Sequence, residues 1–206
     1  MNVQSQVNTN VNCTKLSGSV AQVCEYLGYA VDMILFQRNI YPIADFESTT
    51  MYNMPMFRLK KKSIADWIAD TLTHVKKWLL EKRLIRFSLL IEDAKTKKKL
   101  ERWDFAMNDN PANRELKSVK RIHIEMSQVM RQIMASVTIL PVLEDECTFH
   151  MTVLCIPGTV FPPGWTTTID DSISNAEDIQ FRSIETGFHA VAGSVHFSKP
   201  SNSNRS

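Results

Sequence analysis

Hydrophobic residues recur every three or four positions along residues 17–38, a spacing that predicts an amphipathic helix. The apolar positions of this stretch are Val20, Val23, Leu27, Val31 and Ile34. A serine near its start, Ser17 or Ser19, is suited to cap the helix. We expect the helix to end before Pro42, because proline disfavours helical backbone at the residue before it.

Two later stretches show the same helical spacing. Residues 63–82 place apolar side chains on one face, with Trp67 and Trp78 beside it, and residues 114–134 form a third apolar face. We assign Trp78 to the hydrophobic core, together with Trp103 on a predicted strand.

Alternation of apolar and polar residues predicts strands elsewhere in the chain. Residues 147–156 alternate most clearly, with Phe149, Met151 and Val153 on one side and threonines and a histidine on the other. Residues 47–59 predict a weak hairpin, and residues 87–92 and 100–107 predict two strands joined by a lysine-rich turn. Residues 179–184 and 188–197 are candidate closing strands after a loop over residues 157–178.

The order of these elements predicts an α+β domain, with three helices on one face of a largely antiparallel sheet. We predict one domain over residues 15–199. The polar segments 1–14 and 200–206 are predicted to be disordered. A loop as long as residues 157–178 is unusual inside a compact domain, and such loops are often functional.

Composition narrows the possible functions. The chain of 206 residues is 44% hydrophobic and 22% charged, with a net charge of +2, which gives no bulk electrostatic reason to bind nucleic acid or an anionic membrane. No apolar run approaches the roughly 18 residues of a membrane span. The four cysteines form no CxxC pair, so we expect reduced thiols in the cytosol or nucleus.

The sequence contains no arrangement that indicates catalysis. No phosphate-binding glycine loop, HExxH motif or nucleophile elbow occurs, so we predict that the protein is not an enzyme and needs no metal or cofactor. His189 and His196 are predicted on the two arms of a hairpin around Ala192 and Gly193, where we expect a structural or solvated role. Besides a binding module, two rival classes are an enzyme, which the absence of catalytic motifs disfavours, and a nucleic-acid-binding module.

Six motifs resemble the mitotic-arrest-deficient proteins of the HORMA-domain family, in the same order and at similar spacing. The motifs are FQRNIYP at 36–42, ERWDF at 101–105, RQIMASVTILP at 131–141, CTF at 147–149, Trp165 and FRS at 181–183. The resemblance as a whole runs from about residue 16 to residue 197. The family usually has phenylalanine where Ile139 stands. Residues 52–55 resemble instead the accessory subunit of translesion DNA polymerase zeta, which is the alternative function.

The resemblance implies a spindle assembly checkpoint adaptor. Its C-terminal belt, residues 157–197, would convert from an open to a closed form and trap a partner peptide against the strand at 147–156. The edge of such a strand can accept a peptide as an added strand. The site residues expected for the strand and belt are Phe149, Met151, Val153, Trp165, Val191, Val195 and Phe197.

The same resemblance implies particular partners. Arg131 and Gln132 would form the interface of a conformational homodimer. The other expected partners are a coiled-coil checkpoint receptor at the kinetochore and the activator of the anaphase-promoting complex, which the protein would inhibit. The expected location is the nucleus, kinetochore and cytoplasm.

Overall fold

The computed structural model describes residues 3–109, 117–167 and 170–198, with side chains from Thr14 onward except at Asp109. The predicted tail 200–206 and the predicted start of the third helix at residues 114–116 lie outside this range. Among the described residues, no helix combines the length and apolar character required to cross a membrane.

The described ranges contain three α-helices: α1 (Val3–Gln37), α2 (Lys62–Leu80) and α3 (Val119–Ser136). Helix α1 begins much earlier than the pattern predicted, and its backbone runs through most of the segment 1–14 for which we expected disorder. Neither proline nor glycine interrupts the chain before Gly18, so nothing stops the helix there. Ser19 is consequently an interior helical residue and caps nothing.

Eight strands accompany the helices in the part of the chain that the structure describes. The hairpin of β1 (Phe46–Met51) and β2 (Met54–Leu59) stands apart and follows a short 3-10 helix, Ile43–Asp45. The main sheet contains β3 (Leu84–Asp93), β4 (Lys99–Asp109), β5 (Cys147–Cys155), β6 (Ala176–Gln180) and β8 (His189–Ser198), with the short β7 (Ile184–Glu185) paired to β8. The spatial order is β5-β3-β4-β8-β6, and every pairing is antiparallel. The predicted α+β architecture is confirmed.

The hydrophobic core lies between the helices and one face of this sheet. Alternate residues of β3, such as Phe87 and Leu89, point into it and are fully buried. Trp78 of α2 and Trp103 of β4 are 1% and 0% exposed. The opposite face, called here the outer face, carries the intervening residues of β3 and β4, many of them charged.

The closing strands differ from the prediction. Strand β8 runs without a turn through Ala192 and Gly193, so His189 and His196 lie on one strand and not on two arms of a hairpin. A Cβ atom at Gly193 would lie 3.1 Å from the Phe181 ring. The glycine therefore permits close packing of Phe181 and forms no turn.

Candidate functional site

Strand β5 lies at one end of the sheet. It pairs with β3 on one side, and no described residue pairs with its other side. The backbone amide of Ala94 binds the carbonyl of Glu146, and the amide of Ile156 binds the carbonyl of Arg83. Because the direction of backbone groups alternates along an antiparallel strand, the odd-numbered residues of β5 direct theirs outward. This edge can accept another strand.

The same odd-numbered residues form the apolar side of the edge. Phe149 is 5% exposed, and its ring centroid lies 5.4 Å from that of Trp67 and 6.1 Å from that of Tyr41. Met151 and Val153 are half-buried beside it. Trp67 remains 42% exposed, which is unusual for so large an apolar side chain. Sequence reasoning placed Trp67 beside the helix face but did not connect it with β5.

The outer face of β5 is mainly polar. The His150 Nε2 atom lies 3.0 Å from the Glu92 carboxylate on β3, which also pairs with Lys97. Burial tends to raise the pKa of Glu92, but the hydrogen bonds and positive charges of His150 and Lys97 outweigh it and lower the pKa. Leu154, near the end of the strand, is 47% exposed.

The chain that links β5 to β6 is called here the crossing segment, and the structure describes it at residues 156–167 and 170–175. On the helix side of the sheet, aromatic side chains hold this segment. The centroid of the Trp165 ring lies 4.9 Å from that of Trp78, with the two rings edge to face, and the centroid of the Phe161 ring lies 5.1 Å from that of Trp78. The Trp78 Nε1–H donates to the carbonyl of Val160 at 3.3 Å. His74 completes the cluster, with its ring 6.1 Å from that of Trp165.

The crossing segment is fixed again on the outer face. Both carboxylate oxygens of Asp171 accept from arginines, one from Arg86 of β3 and the other from Arg102 of β4 at 3.1 Å. Trp165 thus contacts the helix side of the sheet, and Asp171 contacts the outer face. The candidate site is the unpaired edge of β5 together with this segment, anchored on both faces.

Val191, Val195 and Phe197 do not lie at the β5 edge. They belong to β8, are 1%, 0% and 5% exposed, and pair with β4 on the far side of the sheet. Val195, for example, is opposite Trp103. These residues attach the end of the predicted belt to the sheet, whereas Phe149, Met151 and Val153 belong to the edge strand itself. Trp165 contacts α2 through Trp78 and His74.

A buried polar cluster joins the end of the chain to α1. The Ser19 hydroxyl lies 2.6 Å from the Thr186 hydroxyl and 2.7 Å from His189 Nδ1, and all three residues are at most 4% exposed. Hydrogen bonds of this kind offset the cost of burying polar groups. Local sequence patterns could not reveal this cluster, because its members are far apart along the chain.

Arg131 and Gln132 lie on α3, away from β5. Arg131 is exposed beside an open groove that Met54 and Pro55 of β2 also line. The Gln132 side-chain oxygen accepts from the backbone amide of Arg182 at 2.9 Å. Gln132 therefore contacts the segment between β6 and β7, and the dimer interface stays a prediction.

Sequence reasoning also missed Arg86, Arg102 and Asp171. Arg102 lies inside the ERWDF motif, but nothing local shows which carboxylate it meets. The strand alternation could have placed Arg86 and Arg102 on the outer face together. Within the described ranges, no group of three or more His, Cys, Asp or Glu residues could hold a metal ion.

The sequence is similar to a known protein family over most of its length. A family model described as the HORMA domain matches residues 19–189. The chain is 33% identical over 199 residues to the mitotic spindle assembly checkpoint protein MAD2A of Dictyostelium discoideum, covering 95% of this chain and 98% of that protein. Identity to human MAD2A is 31% over 193 residues, covering 91% and 94%. For human MAD2B it is 27% over 135 residues, covering 64% and 63%.

Solved structures show the same fold. A chain in a crystal structure of a mitotic checkpoint complex has a TM-score of 0.82 and 30% identity, covering 88% of this chain and 99% of that chain. HTP-2 of C. elegans, bound to a HIM-3 closure motif, has a TM-score of 0.73 at 14% identity and covers 86% and 89%, which shows the fold alone. The chain belongs to the HORMA domain family and, within it, to the MAD2 group of mitotic spindle checkpoint proteins.

Proposed function

We propose that this protein is a non-enzymatic spindle assembly checkpoint adaptor that traps a partner peptide as an added strand on β5, beneath the crossing segment. One observation supports the proposal: β5 has an unpaired edge, and the segment that follows it is anchored on both faces of the sheet. The names of the MAD2A relatives support the checkpoint role.

We infer that the protein has an open and a closed form. A peptide that lies between β5 and a doubly anchored segment cannot leave sideways, so binding and release require at least one anchor to open. Such local opening is slow compared with simple docking. We therefore expect two folded forms of the peptide-free protein, separable by ion exchange, that interconvert slowly after each is isolated.

The proposed partners follow from the family. They are a coiled-coil checkpoint receptor at the kinetochore and the anaphase-promoting complex activator, whose inhibition would be the output of trapping. A conformational homodimer through Arg131 and Gln132 is also proposed. The corresponding locations are the nucleus, kinetochore and cytoplasm.

The alternative is an accessory subunit of translesion polymerase zeta. It rests on residues 52–55, which form the turn before β2 and its start, and residues 70–72 and 79–82 resemble that subunit as well. The match to human MAD2B covers 64% of this chain, whereas the MAD2A match of Dictyostelium discoideum covers 95%. We therefore favour the checkpoint role.

Hydrogen exchange measured residue by residue by NMR tests strand addition. The probe is a peptide of about ten residues, the length of a long strand, selected from a random phage-displayed library on the full chain. We expect the amides of Phe149, Met151 and Val153 to become protected when the peptide binds, because they point to the free edge. The amides of Thr148 and Thr152 serve as internal controls, since they already face β3.

A complex in which the three outward amides exchange as fast as in the free protein would show that the peptide binds elsewhere. Protection of odd-numbered and even-numbered residues alike would indicate general stiffening of β5 rather than an added strand.

A further inference from the structure

The outer face of the sheet carries a compact charged cluster built by three strands. Asp104 of β4 accepts from Arg102 Nε at 3.0 and 3.1 Å and from the Ser88 hydroxyl at 2.6 Å. His196 of β8 lies 3.2 Å from the same carboxylate. Asp104 is only 5% exposed, so its partners hold it in one position.

Arg86 has fewer hydrogen-bond partners in this cluster than Arg102. Its Nε atom is buried without a hydrogen-bond partner and lies 3.7 Å from the Asp104 carboxylate, an ion-pair distance only. Asp104 can balance one of the two guanidinium charges. The strands alone therefore leave Arg86 and Arg102 with one excess positive charge.

Asp171 of the crossing segment supplies the missing carboxylate. One carboxylate oxygen of Asp171 accepts from Arg86 and the other accepts from Arg102. The Arg102 guanidinium also donates to the backbone carbonyl of Asp171 at 2.8 Å. The side chains of Arg86, Arg102 and Asp171 are 24%, 14% and 27% exposed. Partial burial and a fork-like contact make such a pair stronger than an ordinary surface ion pair.

The neighbouring acidic residue provides a contrast. Asp170 has a side chain that is 65% exposed, and its carboxylate lies 3.8 Å from Lys99. Its hydrogen bonds to Ser172 lower its pKa, but they stay within the crossing segment. Asp170 therefore carries the same charge in nearly the same place, without the two-arginine contact.

We propose that Asp171 is the latch of the crossing segment, a positioning residue that keeps it closed by occupying the anion site of Arg86 and Arg102. The site is built before closure, because Asp104 already orients Arg102. Opening removes the carboxylate and exposes the excess positive charge. The consequence for peptide trapping rests on the proposed function; the closure itself does not.

Asp171→Asn tests the latch, since it keeps the shape of the side chain and removes its charge. In the peptide-free protein, we expect the amides of residues 170–175 to exchange at least about fivefold faster in this variant, since losing about 1 kcal/mol of closure free energy raises opening about fivefold. Asp170→Asn is the matched control and should stay within about twofold of the unmodified chain. Asp171→Glu keeps the charge and should exchange as slowly as the unmodified chain. Arg86→Gln removes the charge of the partner of Asp171 and should exchange as fast as Asp171→Asn.

Peptide release provides the second measurement. With a fluorescein-labelled library-selected peptide, we expect Asp171→Asn to raise the dissociation rate about tenfold, with little change in the association rate. Raising NaCl from about 0.05 M to about 0.5 M should speed dissociation from the unmodified chain and not from Asp171→Asn.

The two measurements separate failure of the latch from failure of the proposed function. Unchanged exchange at residues 170–175 in both Asp171→Asn and Arg86→Gln would overturn the latch, whatever the peptide does. Failure to select any peptide would overturn the trapping function, while faster exchange in both variants would still support the latch. If Asp170→Asn accelerated exchange as much as Asp171→Asn, the effect would come from the loss of a negative charge in general, and the latch would also be overturned.

Discussion

Arg38, the residue after the end of α1, forms a buried ion pair with Glu101 of β4 at 2.5 Å. The Arg38 guanidinium also donates to the carbonyl of Pro141 at 2.5 Å, and Trp103 Nε1–H donates to the same Glu101 carboxylate at 3.0 Å. Three separate sequence motifs, at 36–42, 101–105 and 131–141, therefore meet at one polar contact. Burial raises the pKa of Glu101, although the positive charge and hydrogen bond of Arg38 oppose the shift.

Removal of one partner of this pair should be strongly destabilising. We expect Arg38→Ala to lower the free energy of unfolding by about 3–5 kcal/mol, because it leaves a buried carboxylate without its counter-charge. Urea denaturation followed by circular dichroism measures the change. Lys62→Ala is the control: its ion pair with Asp66 is exposed, and we expect a change below about 0.5 kcal/mol. Equal losses in both variants would contradict a special role for the buried pair.

Asp32 of α1 should make stability depend on pH. Burial raises its pKa to about 6, against the opposing charge of Arg58, whose Nε lies 2.6 Å away. The folded state then binds more protons than the unfolded state between about pH 4 and pH 6, so the contribution of Asp32 to stability falls as pH rises through this window. We expect the difference in unfolding free energy between the unmodified chain and Asp32→Asn to shift by on the order of 2 kcal/mol across it.

Urea denaturation of both proteins at several pH values measures this difference, and the comparison cancels other titrating groups. A difference that stays constant between pH 4 and pH 6, within the error of the method, would mean that Asp32 remains charged in the folded protein.

Trp165 should control how long a peptide stays bound. Its edge-on contact with Trp78 anchors the crossing segment on the helix face. Loss of an aromatic contact worth about 1–1.5 kcal/mol should raise the dissociation rate of the library-selected peptide roughly tenfold in Trp165→Ala. Val160→Ala is the control, because that side chain is 81% exposed. The dissociation rates are measured by fluorescence anisotropy. Identical rates in the two variants would show that Trp165 does not anchor the crossing segment.

Arg131 should be required for self-association but not for folding. It is exposed on α3, and its loss exposes no buried charge. We expect Arg131→Ala to be monomeric by analytical ultracentrifugation and to keep peptide binding, whereas Lys120→Ala, on an exposed part of the same helix, should still dimerise. A monomeric unmodified chain at high micromolar concentration would contradict the proposed interface. Gln132 is a poorer test, because it also binds the backbone of Arg182.

The sequence alone determined the three helices, most strands and the apolar side of β5. The period of apolar residues is set by the local backbone, because side chains repeat about every 3.6 residues in a helix and every two in a strand. The spacing of apolar residues from Val20 to Ile34 therefore predicted a helix, and that from Phe149 to Val153 predicted a strand. The position of Trp78 and Trp103 in the core follows from the same patterns. The start of α1 at Val3 was missed, because a polar stretch without proline or glycine gives no local signal for order or disorder.

Only the tertiary structure decided which edge each strand takes. Strand β8 has the same alternation whether it pairs with β4 or with β5, since backbone hydrogen bonds are alike at both edges. Its pairing with β4 leaves one edge of β5 without a partner strand among the described residues. The contacts of Asp171 with Arg86 and Arg102, and of Ser19 with His189, join residues far apart in the chain. Such contacts depend on the complete packing of the sheet, because no local pattern specifies which distant charges or hydroxyls will meet.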